Sequence, residues 1–119
     1  MTGSDIKVHR VDCAADCGLV LNPDIATAQM EGAVTMGLGF ILNPEIKFRD
    51  GAVVNSNYYD YPIPGIGEAP AEINVRFVGQ EYPSTGNGEP GVPTMAPAVA
   101  NAIFAATGKR YRSMPIKHG

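Results

Sequence analysis

The stretch that decides the fold is NPDIATAQMEGAVTMGLGFI, residues 22–41 of a chain of 119 residues. Asn22 is a favourable N-cap and Pro23 suits the first helical position, so the sequence predicts that a helix begins here. Apolar side chains occupy much of its girth, which is typical of a buried helix. Three glycines in this helix each cost about 1 kcal/mol relative to alanine. Close packing of another backbone or approach of a ligand would compensate for them: Gly32, Gly37 and Gly39.

A second helix is predicted near the end of the chain, after a glycine-rich turn. Alanine, valine and isoleucine dominate residues 98–106. Thr94 is a candidate N-cap, and Pro97 would lie early enough in the helix for its missing N–H to be harmless. Gly108 is the expected residue just after the helix, because glycine readily adopts the left-handed conformation found there.

Strands are predicted before and between the helices. Residues 7–13 and 72–78 alternate apolar and polar side chains, as half-buried strands do. Residues 45–49 and 52–55 flank Asp50-Gly51, a strong hairpin signal. Residues 55–61 are expected to be extended. The sequence therefore predicts an α+β fold, a small mixed sheet with two helices packed on one face, forming a single domain over residues 1–119.

The composition restricts the classes of function. The formal net charge is -3 and the charges are scattered, so no basic stripe favours nucleic acid. We expect neither a membrane span nor a signal peptide, because no apolar run reaches about 18 residues and no basic region opens the chain. Cys13 and Cys17 are expected to be buried or partly buried thiols, although a disulfide remains possible in an oxidising compartment. The compartment, cytoplasm or periplasm, stays open.

The turn GNGEP, residues 86–90, is the strongest candidate for chemistry. Glycines allow close approach to a ligand, and the following proline restricts the backbone that presents Glu89. A carboxylate held in this way near a helix N-terminus suits a general base. On spacing alone, a solvated surface glutamate or a small-anion site would explain the same turn.

Longer motifs carry a family resemblance. Residues 88–90 and APAVANAIFAATGKR, residues 96–110, resemble the C-terminal signature of molybdenum hydroxylases. The likeness is greatest to the isoquinoline 1-oxidoreductase β-subunit group of the xanthine dehydrogenase and aldehyde oxidase family. Further segments resemble that family in the expected order: QMEG at residues 29–32, NYYDY at 57–61 and EAP at 68–70.

The resemblance implies a role for particular residues. Glu89 matches the family's general base, which takes a proton from the molybdenum-bound hydroxyl during hydroxylation of N-heterocycles or aldehydes. Gln29 matches a glutamine that lies against the pterin, and Gly32 and Gly88 accompany it as cofactor-binding positions. The cofactor is molybdopterin, in the cytosine dinucleotide form, whose dithiolene holds the metal, so no protein metal ligands are expected. One departure is the absence of a basic residue from residues 62–67, where family members tend to carry an arginine.

The resemblance also implies partners. The family's molybdenum subunit is several times longer than this chain and works with an iron–sulfur subunit, so the isolated chain is expected to be catalytically silent. The alternative is a free-standing binding or dimerisation module that reuses the fold, with a homo-oligomer as one such arrangement.

Overall fold

The computed structural model describes residues 6–43 and 45–116. The α+β prediction is confirmed, since two long helices accompany four short strands. The elements in chain order are β1 (Arg10–Asp16), α1 (Pro23–Leu42), β2 (Phe48–Arg49), β3 (Ala52–Val53), a 3₁₀ turn (Tyr58–Asp60), β4 (Glu72–Val78) and α2 (Gly91–Thr107).

The strands divide into two separate sheets. β1 and β4 pair in parallel over their full length, from Arg10 opposite Glu72 to Asp16 opposite Val78. Parallel strands need a crossover connection, and α1 lies within it. β2 and β3 form the predicted antiparallel hairpin around Asp50-Gly51. The predicted mixed sheet is therefore a parallel pair and an antiparallel pair that do not join within the described residues.

The core lies between the two helices and the inner face of β1 and β4. Val34, Leu38 and Ile41 of α1 are at most 1% exposed. They pack with the buried residues of α2 and of the segment that follows it, namely Met95, Val99, Ile103 and Ile116. Apolar side chains of the strands close this core from the sheet side: Val11, Cys13 and Ile73.

The first helix begins where the sequence predicts. The Asn22 side chain accepts a hydrogen bond from the Ile25 N–H at 3.1 Å, and Pro23 occupies the first turn. The prediction that α1 is a buried helix was wrong for part of its surface, because the side chains of Ile25 and Phe40 remain 68% and 46% exposed. α2 covers one side of α1, and the described residues leave much of the opposite side open.

The composition of α1 bears on the expectation that the chain has no membrane span. With 20 residues and a mean hydropathy of 1.3, this helix is long and apolar enough to cross a membrane, although no such segment was predicted. The core helix of a folded domain can have the same length and composition. Here the packing of α1 against α2 accounts for much of its apolar character.

Three predicted boundaries were wrong, two of them because contacts between distant segments set them and one because of a local cap. β1 was predicted to start at residue 7, but it starts at Arg10, because its pairing with β4 begins there. Val8 packs against the core without joining the strand. Residues 58–60 form a 3₁₀ turn instead of extended chain, because Asn57 and Asp60 cap it reciprocally.

The start of α2 is the third correction. The helix begins at Gly91 with Pro90 at its N-cap, so Thr94 lies inside the first turns and bonds back to the Pro90 and Gly91 carbonyls. Pro97 consequently lies within the helix rather than in its first turn. The end is as predicted, since Gly108 adopts a left-handed conformation with φ of 73°.

Two of the three helix glycines are explained by packing within the chain. A Cβ on Gly37 would lie 2.8 Å from the Val92 carbonyl oxygen, and one on Gly39 would lie 2.6 Å from the Pro64 ring. The two cysteines are free thiols, as favoured by the sequence, with Cys17 buried and Cys13 half-buried. Partial burial raises the pKa of the Cys13 thiol above its usual value.

Candidate functional site

Residues 86–91, here called the Glu89 loop, lie along the start of α1. Two side-chain hydrogen bonds join them to the helix in opposite directions. The Asn87 amide Nδ2 donates to the Ala26 carbonyl at 3.1 Å, and the Gln29 amide Nε2 donates to the Gly88 carbonyl. The structure therefore brings Gln29 and Gly88 together and places both beside Glu89.

The backbone of Glu89 is held on both sides while its carboxylate stays free. Its carbonyl accepts the Val92 N–H at 3.0 Å, and Pro90 restricts the backbone that follows. The side chain is exposed, and no hydrogen bond or ion pair within residues 6–43 and 45–116 engages its carboxylate. α2 begins two residues later, so the partly positive end of that helix lies next to Glu89.

The start of α2 is fixed by a close helix–helix contact. Gly91 is buried, and a Cβ on it would lie 3.0 Å from the Ala33 Cβ and 3.3 Å from the end of the Met30 side chain. The absence of a side chain at Gly91 therefore allows α2 to dock directly on α1. This contact sets where the Glu89 loop ends.

Gly32 and Gly88 differ from the packed glycines. A Cβ on either would meet no atom of the described chain within 4 Å. Gly32 also lines an open concavity of about 610 Å³ on the side of α1 that faces away from α2. The other lining residues come from α1, β4 and the loop before β4: Ala28, Glu31, Thr35, Met36, Ile63, Pro64, Pro70 and Ile73. Gln29 and Glu89 do not line it.

The segment that leads into the Glu89 loop is tied to the end of β1. The Tyr82 hydroxyl donates to the Asp16 carboxylate, and this bond raises the pKa of Tyr82 to about 12. Backbone bonds extend the connection, from the Leu19 N–H to the Tyr82 carbonyl and from the Thr85 N–H to the Cys17 carbonyl, both at 2.9 Å.

Sequence reasoning missed the Tyr82–Asp16 pair and Asn87. The partners of these side chains lie more than 60 residues away in the chain, and no local pattern connects them. For Asn87 one signal was available, because it is a polar residue placed between two glycines, which have no side chain to anchor the turn.

The described part of the chain contains no group of three His, Cys, Asp or Glu residues that could hold a metal ion. What the arrangement offers is a free carboxylate on a held backbone, two open glycine surfaces, and a glutamine amide with hydrogen-bonding capacity to spare. Such a set can accept a proton and border a large cofactor.

Comparisons with known proteins identify the family of the chain. The model of the molybdopterin cofactor-binding domain family matches residues 2–70. The chain is 38% identical over 112 residues to the isoquinoline 1-oxidoreductase subunit beta of Brevundimonas diminuta, covering 94% of this chain and 14% of that protein. It is 34% identical over 120 residues to the aldehyde oxidoreductase molybdenum-binding subunit PaoC of Escherichia coli K12, covering 94% and 16%.

The fold is also shared with a solved structure. Quinoline 2-oxidoreductase from Pseudomonas putida 86 superposes with a TM-score of 0.76 at 27% identity, over 88% of this chain and 14% of that one. The chain thus spans only about one seventh of the isoquinoline and quinoline enzyme chains that it matches. On the family model and these identities, the chain belongs to the molybdopterin cofactor-binding domain family of the molybdenum hydroxylases.

Proposed function

We propose that this chain is the part of a molybdenum hydroxylase that carries the general base, and that Glu89 is that base. The observation that carries the proposal is the exposed carboxylate of Glu89 on a backbone held by Gln29 and Val92. A general base must be both free to accept a proton and fixed in position.

The residues around Glu89 fit the edge of a molybdopterin site. Gly32 and Gly88 leave room for a group that the chain itself does not supply. Gln29 uses one amide N–H on Gly88, so its second N–H and its carbonyl oxygen remain available. We assign these three residues to cofactor binding, and we propose the cytosine dinucleotide form of the cofactor.

The cofactor, when bound, supplies the redox chemistry of hydroxylation. The chain's own contribution is to hold the Glu89 carboxylate at the N-terminal end of α2 and to accept a proton on one of its oxygens. The partly positive N-terminal end of α2 attracts the ionised carboxylate and so keeps it in this position. We propose N-heterocycles or aldehydes as substrates, because the relatives are named for such reactions.

Other chains or segments must complete the site. A cofactor of this size needs a cleft that buries most of its surface and excludes water, and the Glu89 loop is open. We therefore propose that the remainder of a molybdenum subunit encloses the cofactor, that an iron–sulfur subunit receives the electrons, and that the 119 residues alone are inactive.

The test is Glu89→Gln in the assembled hydroxylase, which keeps the shape of the side chain and removes its basicity. Loss of a general base lowers kcat by about 10²–10⁴-fold. Glu81→Gln is the matched control, since Glu81 is also an exposed glutamate before α2 and should leave kcat unchanged. Equal molybdenum content in all three proteins shows that the loss is chemical. Full activity of the Glu89 variant would refute the assignment.

A second candidate function is favoured by exposed apolar side chains. Leu21, Phe48 and Ile66 are 87%, 71% and 98% exposed. Apolar side chains mark contacts with other proteins where they form a contiguous patch, and a free-standing binding or dimerisation module would place these three in its interface. Sedimentation of the 119-residue chain separates the candidates: a dimer at micromolar concentration supports the module, and a monomer supports a domain completed by its subunit.

A further inference from the structure

We infer that Asn87 is the positioning residue of the Glu89 loop, acting on Glu89 through the backbone rather than touching substrate or cofactor. The functional consequence of this inference rests on the proposed role of Glu89. Its structural part, that the Asn87 amide holds the loop on α1, stands on the hydrogen bonds of the chain alone.

Among residues 86–88, only Asn87 has a side chain that can contact α1. Gly86 has a positive φ of 99°, and neither Gly86 nor Gly88 has a side chain that could contact α1. A turn with two such residues has a large conformational freedom, which must be removed before the next residue is fixed. Asn87 lies between them and is half-buried against the helix.

The direction of its hydrogen bond is favourable. Asn87 Nδ2 donates to the Ala26 carbonyl oxygen, 3.1 Å away in the first turns of α1. A carbonyl oxygen has two lone pairs, so it can accept this bond and also serve the helix. The bond from Gln29 to the Gly88 carbonyl then runs the opposite way, one residue further along the loop. The two bonds clamp residues 87 and 88, and Glu89 follows directly.

The other end of the Asn87 amide supports a positional role. Its Oδ1 is buried and has no hydrogen-bond partner among the described residues. A buried acceptor without a partner opposes folding, whereas an apolar side chain of similar size would leave none. Asn87 therefore forms the Nδ2 bond but leaves its Oδ1 unpaired. This combination indicates that Asn87 serves to place the loop rather than to maximise the stability of the fold.

The experiment measures backbone order in the loop and kinetics in parallel. In the 119-residue chain, Asn87→Ala should lower the NMR order parameters of residues 86–89 from about 0.85, typical of rigid backbone, to below about 0.6. α1 and α2 should keep their order. Asn87→Asp, which keeps the size of the side chain and its Oδ1 but replaces the amide donor with a second oxygen, should behave like Asn87→Ala. Asn101→Ala is the control, because it truncates an exposed asparagine on α2 far from the loop.

In the assembled hydroxylase, Asn87→Ala should lower kcat by about ten- to a hundredfold with KM unchanged, the effect of a misplaced reactive group. Asn87→Ala with a rigid loop, or equal loss of order in Asn101→Ala, would overturn the inference. If the loop loosens but Glu89→Gln is fully active, the clamp stands and the proposed base is wrong. The two failures are therefore distinguishable.

Discussion

The rest of the chain packs against the two sides of α1 to different degrees. On the side facing α2, a Cβ on Gly37 would clash with the Val92 carbonyl and the Met95 side chain. The large neighbours Val34 and Leu38 are fully buried there. On the other side, a Cβ on Gly32 would contact no atom of the described chain within 4 Å, and Gly32 borders an open concavity. Both glycines interrupt the same helix, yet only one is explained by the chain. The proposed placement of the cofactor beside Gly32 predicts this difference.

The largest effect on the free energy of unfolding is expected on the side of α1 that faces α2. Leu38→Ala removes a side chain that is 1% exposed, so the free energy of unfolding should fall by about 2–5 kcal/mol. Leu21→Ala removes the same atoms from a leucine that is 87% exposed and should change it by no more than about 0.5 kcal/mol. Urea denaturation measures both, and equal losses would mean that the core is placed wrongly.

A smaller effect separates the glycines themselves. Gly37→Ala places a Cβ against backbone, so overpacking of about 1–3 kcal/mol should exceed the gain in helix propensity. Gly32→Ala enters open space and should stabilise the isolated chain by about 1 kcal/mol. Thermal and urea unfolding of the two variants should therefore shift in opposite directions. A shift in the same direction would remove the contrast between the two sides of α1.

The smallest effect concerns how the chain holds the segment leading to the Glu89 loop. The bond to Asp16 favours the neutral Tyr82 phenol and raises its pKa from 10.0 to about 12 in the folded chain. Its stabilisation is thus fully present below pH 10.0 and is lost as the pH rises to about 12, because the unfolded chain releases this proton first. Unfolding midpoints followed over that range should fall less steeply in Tyr82→Phe, and identical slopes would show that the bond is absent.

The sequence predicts best those features that local chemistry decides. Asn22-Pro23 starts α1, Gly108 ends α2 and Asp50-Gly51 turns the hairpin, each through its own backbone preferences. The start of β1 and the start of α2 depend on contacts with β4 and with α1. No local pattern encodes these contacts, so both boundaries were predicted wrongly.

The candidate site follows the same division. The motif around Glu89 and the position of Gln29 are readable from the sequence as a family resemblance. The bond from Asn87 to Ala26 joins residues 61 apart, and that from Tyr82 to Asp16 joins residues 66 apart. These connections depend on how α1 and β1 lie beside the loop, which appears only after the chain has folded.

The central claim is that Gly32, together with Gln29 and Gly88, borders the molybdenum cofactor, and cofactor content tests it most directly. Molybdenum and pterin would be measured in the assembled hydroxylase carrying Gly32→Leu, with Ala105→Leu on the exposed side of α2 as the control. An intruding side chain costs about 1–3 kcal/mol, so we predict cofactor affinity about ten- to a hundredfold weaker in Gly32→Leu and unchanged in the control. Full cofactor content in a stably folded Gly32→Leu protein at limiting cofactor would contradict the account.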